Sequence, residues 1–199
     1  EDGWTDLLAG VKPPRDKVTG TWLKGLLGEL SCVLPTDGLC ATIVVGQPPA
    51  DEYDVRMVFD VERATRQGYG QGEVCLVFPA GDTQARFGLW CLDFYQIGFV
   101  WDRAHFKPFD VAGSNNPTMR RQPEKLLSNH KYTALVEVRR EVVRGFVDGK
   151  LVSEWRPEPG AANDMASFAL PERRKLGVGA YQSVVHFTKI EVRAHGPEK

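Results

Sequence analysis

"KYTALVEVRREVVRGFVDGKLVSEW", residues 131–155, decides the fold. Tyr132, Ala134, Val136 and Val138 fall on one side of an extended chain, while Thr133, Glu137, Arg139 and Glu141 include its polar opposite. Alternation at period two marks a strand with one buried face. Asp148-Gly149 then signals a tight hairpin, because both central positions of that turn need positive φ. Phe146 and Leu151 flank the turn as candidate core contacts. The unit reads as antiparallel strands laid over a core.

The same pattern runs outward in both directions. Towards the N-terminus it recurs in "GTWLK", "GELSCVL", "ATIVVG", "YDVRMVFDVE", "GEVCLVF", "ARFGLWCL" and "YQIGFVWD". Towards the C-terminus it recurs in "KLGVGAY" and "FTKIEVRA", where Ile190 and Val192 alternate with Lys189, Glu191 and Arg193. Gly/Pro/Asn/Asp clusters such as "GQPPADE", "RQGYGQG" and "AGSNNPT" separate the segments, and only "QPEKLLSN" reads as a short helical turn. About twelve short strands at this spacing indicate a sandwich or barrel. The 199 residues, of which 42% are hydrophobic, suit one such domain spanning 1–199 with a substantial core. No internal repeat or domain boundary interrupts them.

Charge narrows the partners. The 25 basic and 26 acidic residues leave a net charge of -1, which removes the usual electrostatic argument for nucleic acid or an acidic membrane. The clusters Arg120-Arg121, Arg139-Arg140 and Arg173-Arg174-Lys175 are short and scattered, as on a solvated surface. No apolar run reaches the roughly 18 residues needed to span a bilayer. "EDGWTDLL" lacks the basic start and apolar core of a signal peptide, so a mature product or a domain of a longer chain is expected.

Four cysteines stand at 32, 40, 75 and 91, with no zinc-type spacing among them. "CVLPTDGLC" carries turn residues between the first two, which sets Cys32 and Cys40 across an expected hairpin. Cys75 and Cys91 lie on two further strand segments. Two disulfides, Cys32–Cys40 and Cys75–Cys91, are the expectation; the alternative is four buried thiols. Disulfides would imply an oxidising compartment.

"YTALVEVRREVVRGFVDGKLVSEW" followed by "LGVGAYQSVVHFTKIEV" resembles the C-terminal half of concanavalin A-like lectin/glucanase jelly rolls. "WTDLL", "VTGTW", "GELSCVL" and "PADEYDVRMVFDVE" resemble the bacterial branch related to the 3-keto-disaccharide hydrolase domain. The resemblance covers nearly the whole chain. It implies an all-β fold: a two-sheet antiparallel β-sandwich, or jelly roll, with a concave face. Calcium is known in that fold family, but no oxygen-rich loop here has recognisable ligand spacing, so no cofactor is expected.

The aromatic-rich stretch "GLWCLDFYQIGFVWD", residues 88–102, bears on function. Phe87, Leu89 and Cys91 share one side of a first strand, opposite Arg86, Gly88, Trp90 and Leu92. Tyr95, Ile97, Phe99 and Trp101 share one side of a second, opposite Gln96, Gly98, Val100 and Asp102. The apolar sets are expected in the core and the mixed sets on a groove. Phe87, Phe99 and Trp101 are then structural, and Trp90 is the ring expected to stack on a ligand. Glycines at 88 and 98 leave floor space beside it. Sugars suit such a place, with Arg86, Gln96 and Asp102 as hydrogen-bonding partners for hydroxyls. Asn115, Asn116 and Arg120 of the polar loop, and Tyr181 with Gln182 of "GAYQS", are candidate rim residues.

Catalytic signatures are thin. The Glu-x-Asp-x-x-Glu run of laminarinase-type enzymes is missing, and so are Gly-x-Ser-x-Gly and His-Glu-x-x-His. Asp60 and Glu62 share a strand face, and "WDRAHF" brings Asp102 near His105 as a conceivable acid–base pair. The expected function is therefore a non-catalytic carbohydrate-binding or adhesion-type module of a larger extracytoplasmic protein, with a neutral or weakly acidic glycan as partner. A glycoside hydrolase related to the 3-keto-disaccharide hydrolases is the runner-up, and a laminin-G-like protein-interaction domain is the third reading.

Overall fold

The structure, a computed structural model, describes residues 3–33, 40–64, 72–90, 96–100, 116–121, 126, 128–157 and 168–196. Strands β1 (Thr5–Asp6), β2 (Lys17–Thr19), β3 (Thr21–Lys24), β4 (Leu30–Val33) and β5 (Cys40–Gly46) open the chain. The middle supplies β6 (Tyr53–Ala64), β7 (Glu73–Ala80), β8 (Thr83–Trp90), β9 (Gln96–Val100) and β10 (Arg120–Arg121). Strands β11 (Lys131–Val138), β12 (Val143–Val147), β13 (Lys150–Trp155), β14 (Leu176–Tyr181) and β15 (Ser183–Ala194) complete the order. Helical content is limited to a 3₁₀ turn at Leu8–Gly10 and one turn at Pro13–Asp16.

The strands form two antiparallel sheets of a jelly-roll-like sandwich. The first runs β13-β12-β11-β6-β15-β4-β3, with β1 paired to β15. The second runs β10-β9-β8-β7-β14-β5-β2. Gly20, at φ +76°, carries the chain from the second sheet to the first, and a Cβ there would fall 2.4 Å from the Ala41 side chain. Only glycine satisfies both the backbone angle and the contact.

Between the sheets lies one core. From the first come Val55, Met57 and Phe59 of β6, Ala134, Val136 and Val138 of β11, and Ile190 and Val192 of β15. The second contributes Leu76 and Phe78 of β7, Phe87 and Leu89 of β8, and Ile97 and Phe99 of β9. The alternation read at 85–89 and 97–99 therefore has the expected parity. Phe87 and Phe99 stack with centroids 5.0 Å apart, and Trp155 meets Phe99 at 6.1 Å. Gly145 of β12 gives these rings room, since a Cβ there would come within 2.6 Å of Phe87.

Two sequence expectations are corrected here. Asp148 and Gly149 take the positive φ expected of the hairpin, at 48° and 77°. The register shifts between Gly145 and Phe146, however, and this bulge turns the strand end over. Leu151 is exposed and Phe146 only half-buried, so neither is in the core. The hairpin expected between Cys32 and Cys40 does not form, because β4 belongs to the first sheet and β5 to the second. Cys32 points into the core, whereas Cys40 lies on the outer side of the second sheet. Cys32, Cys40 and Cys75 are free thiols; Cys91 lies outside the described residues.

Candidate functional site

The face of the second sheet turned away from the core collects the residues of interest. Because β7, β8 and β14 pair in register, Trp90, Glu73 and Tyr181 form one row across three strands. Cys40 of β5 extends the row beyond Tyr181. With strands about 4.8 Å apart, the backbones of Trp90 and Tyr181 are separated by roughly 10 Å. Gln96 opens β9 on the far side of β8 and pairs with Arg121. Trp90 and Gln96 are placed by their strands; their side chains lie outside what is described.

Below this row the face is closed rather than open. Arg86 is 1% exposed, and its Nε donates to Glu73 Oε1 at 2.8 Å. Its Nη2 reaches Glu73 Oε2 at 3.5 Å, so the pair is bidentate. Burial pushes the Glu73 carboxyl above its ordinary value, and the Arg86 charge and hydrogen bonds pull the other way. Phe168 roofs the pair, its ring centroid 4.9 Å from the Arg86 guanidinium carbon. The ring rests on Gly179, where a Cβ would come within 2.4 Å of it. Leu170 covers Gly177 beside it, and its backbone N–H donates to Gln84 Oδ-side amide oxygen, Oε1, at 2.8 Å.

Thiols complete this cover. Cys75 is buried against Phe168, and burial pushes its thiol well above the ordinary value, with Glu73 adding to the effect. Cys40 is pushed up to about 11 and Cys32 to about 12, chiefly by burial. These values keep the sulfurs protonated at neutral pH, which makes them packing groups rather than nucleophiles. Tyr181 is half-buried, and its hydroxyl is likewise raised by burial, then by Cys40 and Glu73.

The sequence-derived candidates therefore divide. Tyr181, Trp90 and Gln96 occupy the same end of the face. Arg86 is on the expected side but is sealed in its ion pair, which corrects its reading as a ligand contact. Asn116 is corrected as well: it is 5% exposed, and its Nδ2 donates to the Phe99 carbonyl at 2.7 Å. Its Oδ1 accepts from the Thr118 N–H and hydroxyl, so it fastens the 116–118 turn to β9. Arg120 is exposed and donates to the Pro117 and Met119 carbonyls. Asp102, Trp101, His105 and Asn115 lie outside the described residues.

The first sheet carries polar groups of its own. His186 Nε2 lies 3.0 Å from Glu62, and its Nδ1 lies 2.8 Å from the Ser31 hydroxyl. These three side chains lie on adjacent strands β4, β15 and β6. Glu62 is thus a cross-strand tie, and Asp60 sits opposite His186 and Lys131. Trp4 is flanked by the guanidiniums of Arg56 and Arg193, at 4.2 and 4.6 Å from its centroid. Among the described residues no group of His, Cys, Asp and Glu converges as a metal site.

No protein-family model matches the chain, and no curated protein does. Solved structures match its fold. The carbohydrate binding module CBM66 from Bacillus subtilis superposes with a TM-score of 0.56 at 15% identity, over 96% of each chain. The Crh5 transglycosylase in complex with NAG gives a TM-score of 0.59 at 12% identity, over 98% of this chain and 84% of that one. The VIP36 exoplasmic/lumenal domain in its Ca2+/Man-bound form gives 0.58 at 12% identity, over 91% and 83%. The chain thus has the jelly-roll fold shared by lectin-type and glycosyl-transforming proteins.

Proposed function

We propose that the chain is a non-catalytic carbohydrate-binding or adhesion-type module, acting outside the cytoplasm as part of a larger protein. The cross-strand row Trp90–Glu73–Tyr181 carries this reading. Two aromatic positions flank a polar strip at one end of a sheet face, with Gln96 alongside. Indole and phenol rings offer faces to sugar C–H groups, while their N–H and O–H ends meet hydroxyls. The similarity in fold to a carbohydrate binding module supports the same reading.

Binding is favoured over hydrolysis by the state of Glu73. Glycosidases that act through two carboxylates need one on each side of the scissile bond, about 5 to 9.5 Å apart. The described acid of this row is 2% exposed and held by Arg86. One observation favours the enzyme reading: burial raises Glu73, as a general acid requires. A glycoside-cleaving activity related to the 3-keto-disaccharide hydrolases is therefore the second reading.

Tryptophan-fluorescence titration with soluble glycans, on wild type and Trp90→Ala, tests the proposal. Saturable binding to neutral or weakly acidic glycans is expected, with affinity in roughly the micromolar-to-millimolar range, because hydroxyls are costly to desolvate. It should change little with salt and disappear in Trp90→Ala. Binding that survives the substitution unchanged moves the site elsewhere. Release of reducing sugar from the same samples makes the enzyme reading correct.

A further inference from the structure

The opposite end of the sandwich holds a cleft that the row at Trp90 does not reach. Strand β8 runs from Thr83, at this cleft, to Trp90, seven residues or roughly 23 Å away. Two adjoining hollows of about 420 and 290 Å³ share Asp51, Gly81 and Arg174. The larger lies within the usual volume range of small-ligand pockets. The β5–β6, β7–β8 and β11–β12 connections contribute to its walls, together with the approach to β14.

Its charged lining is Asp51, Glu52, Asp82, Arg139, Arg140 and Arg174. Some of these groups are already engaged. Arg139 donates to buried Asp54 at 2.8 Å and to the Tyr53 carbonyl, so its charge is matched within the fold. Glu52 accepts the Arg140 backbone N–H at 2.7 Å, which fixes the β11–β12 turn and leaves the Arg140 side chain at the cleft. Arg174 and Asp51 meet at 3.6 Å, with side chains 81% and 95% exposed. An ion pair so exposed holds neither partner firmly. Pro48, Pro49, Tyr53 and Pro79 give the smaller hollow an apolar part.

We infer that this cleft is a second saccharide subsite, which takes the end of a neutral glycan. The inference rests on the carbohydrate reading above for its ligand class, and on the cleft alone for its place. Carboxylates accept from sugar hydroxyls, guanidiniums donate to hydroxyl oxygens, and proline and tyrosine carbons pack on C–H faces. With Arg139 matched by Asp54, three carboxylates face two guanidiniums. A formally charged ligand would meet like charge as readily as opposite charge. A polyol uses both signs at once. Two subsites at the two ends of one sheet would let the domain hold a branched or long glycan at two points, raising avidity without a new contact.

Chemical-shift mapping on the ¹⁵N-labelled chain tests this with sucrose and cellobiose as probes. One of these disaccharides should move the amide signals of Asp51, Gly81 and Arg140. The effect should persist in Trp90→Ala and weaken about tenfold or more in Asp82→Ala/Arg140→Ala, the loss equivalent to a few hydrogen bonds. The spectra themselves report whether each variant is folded. Shifts confined to the Trp90 end overturn the second subsite and leave the carbohydrate reading standing. Cleft shifts unchanged by the double substitution also overturn it. If glucuronate displaces the neutral sugars and salt abolishes binding, the neutral class is wrong. No shift at either end with either sugar or with soluble glycans overturns both.

Discussion

The guanidinium of Arg86 is held between two unlike partners, the carboxylate of Glu73 in the adjacent strand and the ring of Phe168 4.9 Å away. Both charged side chains are nearly inaccessible, at 2% and 3% exposure. Removing one partner from such a pair strands a charge, which costs about 3–5 kcal/mol. Glu73→Ala and Arg86→Ala should each lower the urea midpoint by that measure. Arg86→Met combined with Glu73→Leu should be more stable than either single variant, because no unmatched charge remains. A double variant as unstable as the singles would mean that the pair is needed for packing the sheet.

Phe168 adopts φ +86°, an unfavourable backbone for a bulky residue. Its ring fits only because residue 179 has no side chain. Gly179→Ala should drive the ring off the sheet at about 1–3 kcal/mol, the usual range for overpacking. In a Phe168→Ala background the same substitution should be nearly free. Equilibrium denaturation of the four proteins completes the cycle, and a full penalty without the ring would place the crowding elsewhere.

Cys32 fixes a pH dependence. Its folded value is pushed to about 12 from an ordinary 9.0, so folding favours the protonated thiol. The stabilisation is complete below pH 9 and is lost as pH rises towards the folded value, since the unfolded chain ionises first. Measured under reducing conditions, the stability advantage of wild type over Cys32→Ala should be about 2 kcal/mol smaller near pH 10.5 than near pH 8. A constant difference between the two proteins would refute the shift.

Much of the architecture was legible because alternation is a local property. Each quoted strand segment contains a strand, and the faces at Phe87, Leu89, Ile97 and Phe99 follow from parity alone. Strands β1, β2 and β10 were missed, since two or three edge residues carry no period. Leu151 was misplaced because a bulge at Gly145/Phe146 leaves no mark in hydrophobicity. Arg86 read as a groove residue because its partner stands thirteen positions earlier, on another strand. Recognising that ion pair requires the register, and recognising its roof requires the position of Phe168. Asn116 resembled an exposed loop residue in a polar run, and only the Phe99 carbonyl beside it explains its burial.

Strand β15 lies between β6 and β4 in the first sheet and also pairs with β1. The three strands that flank it come from the first 64 residues, and all wait for residues 183–194. During synthesis the early strands therefore leave the ribosome with their central hydrogen-bonding partner still unmade. The first sheet is completed only after that segment emerges, so its folding is a late event dominated by distant pairings, which are slow to form. The waiting edges of β4 and β6 are the surfaces most in need of protection from other nascent chains.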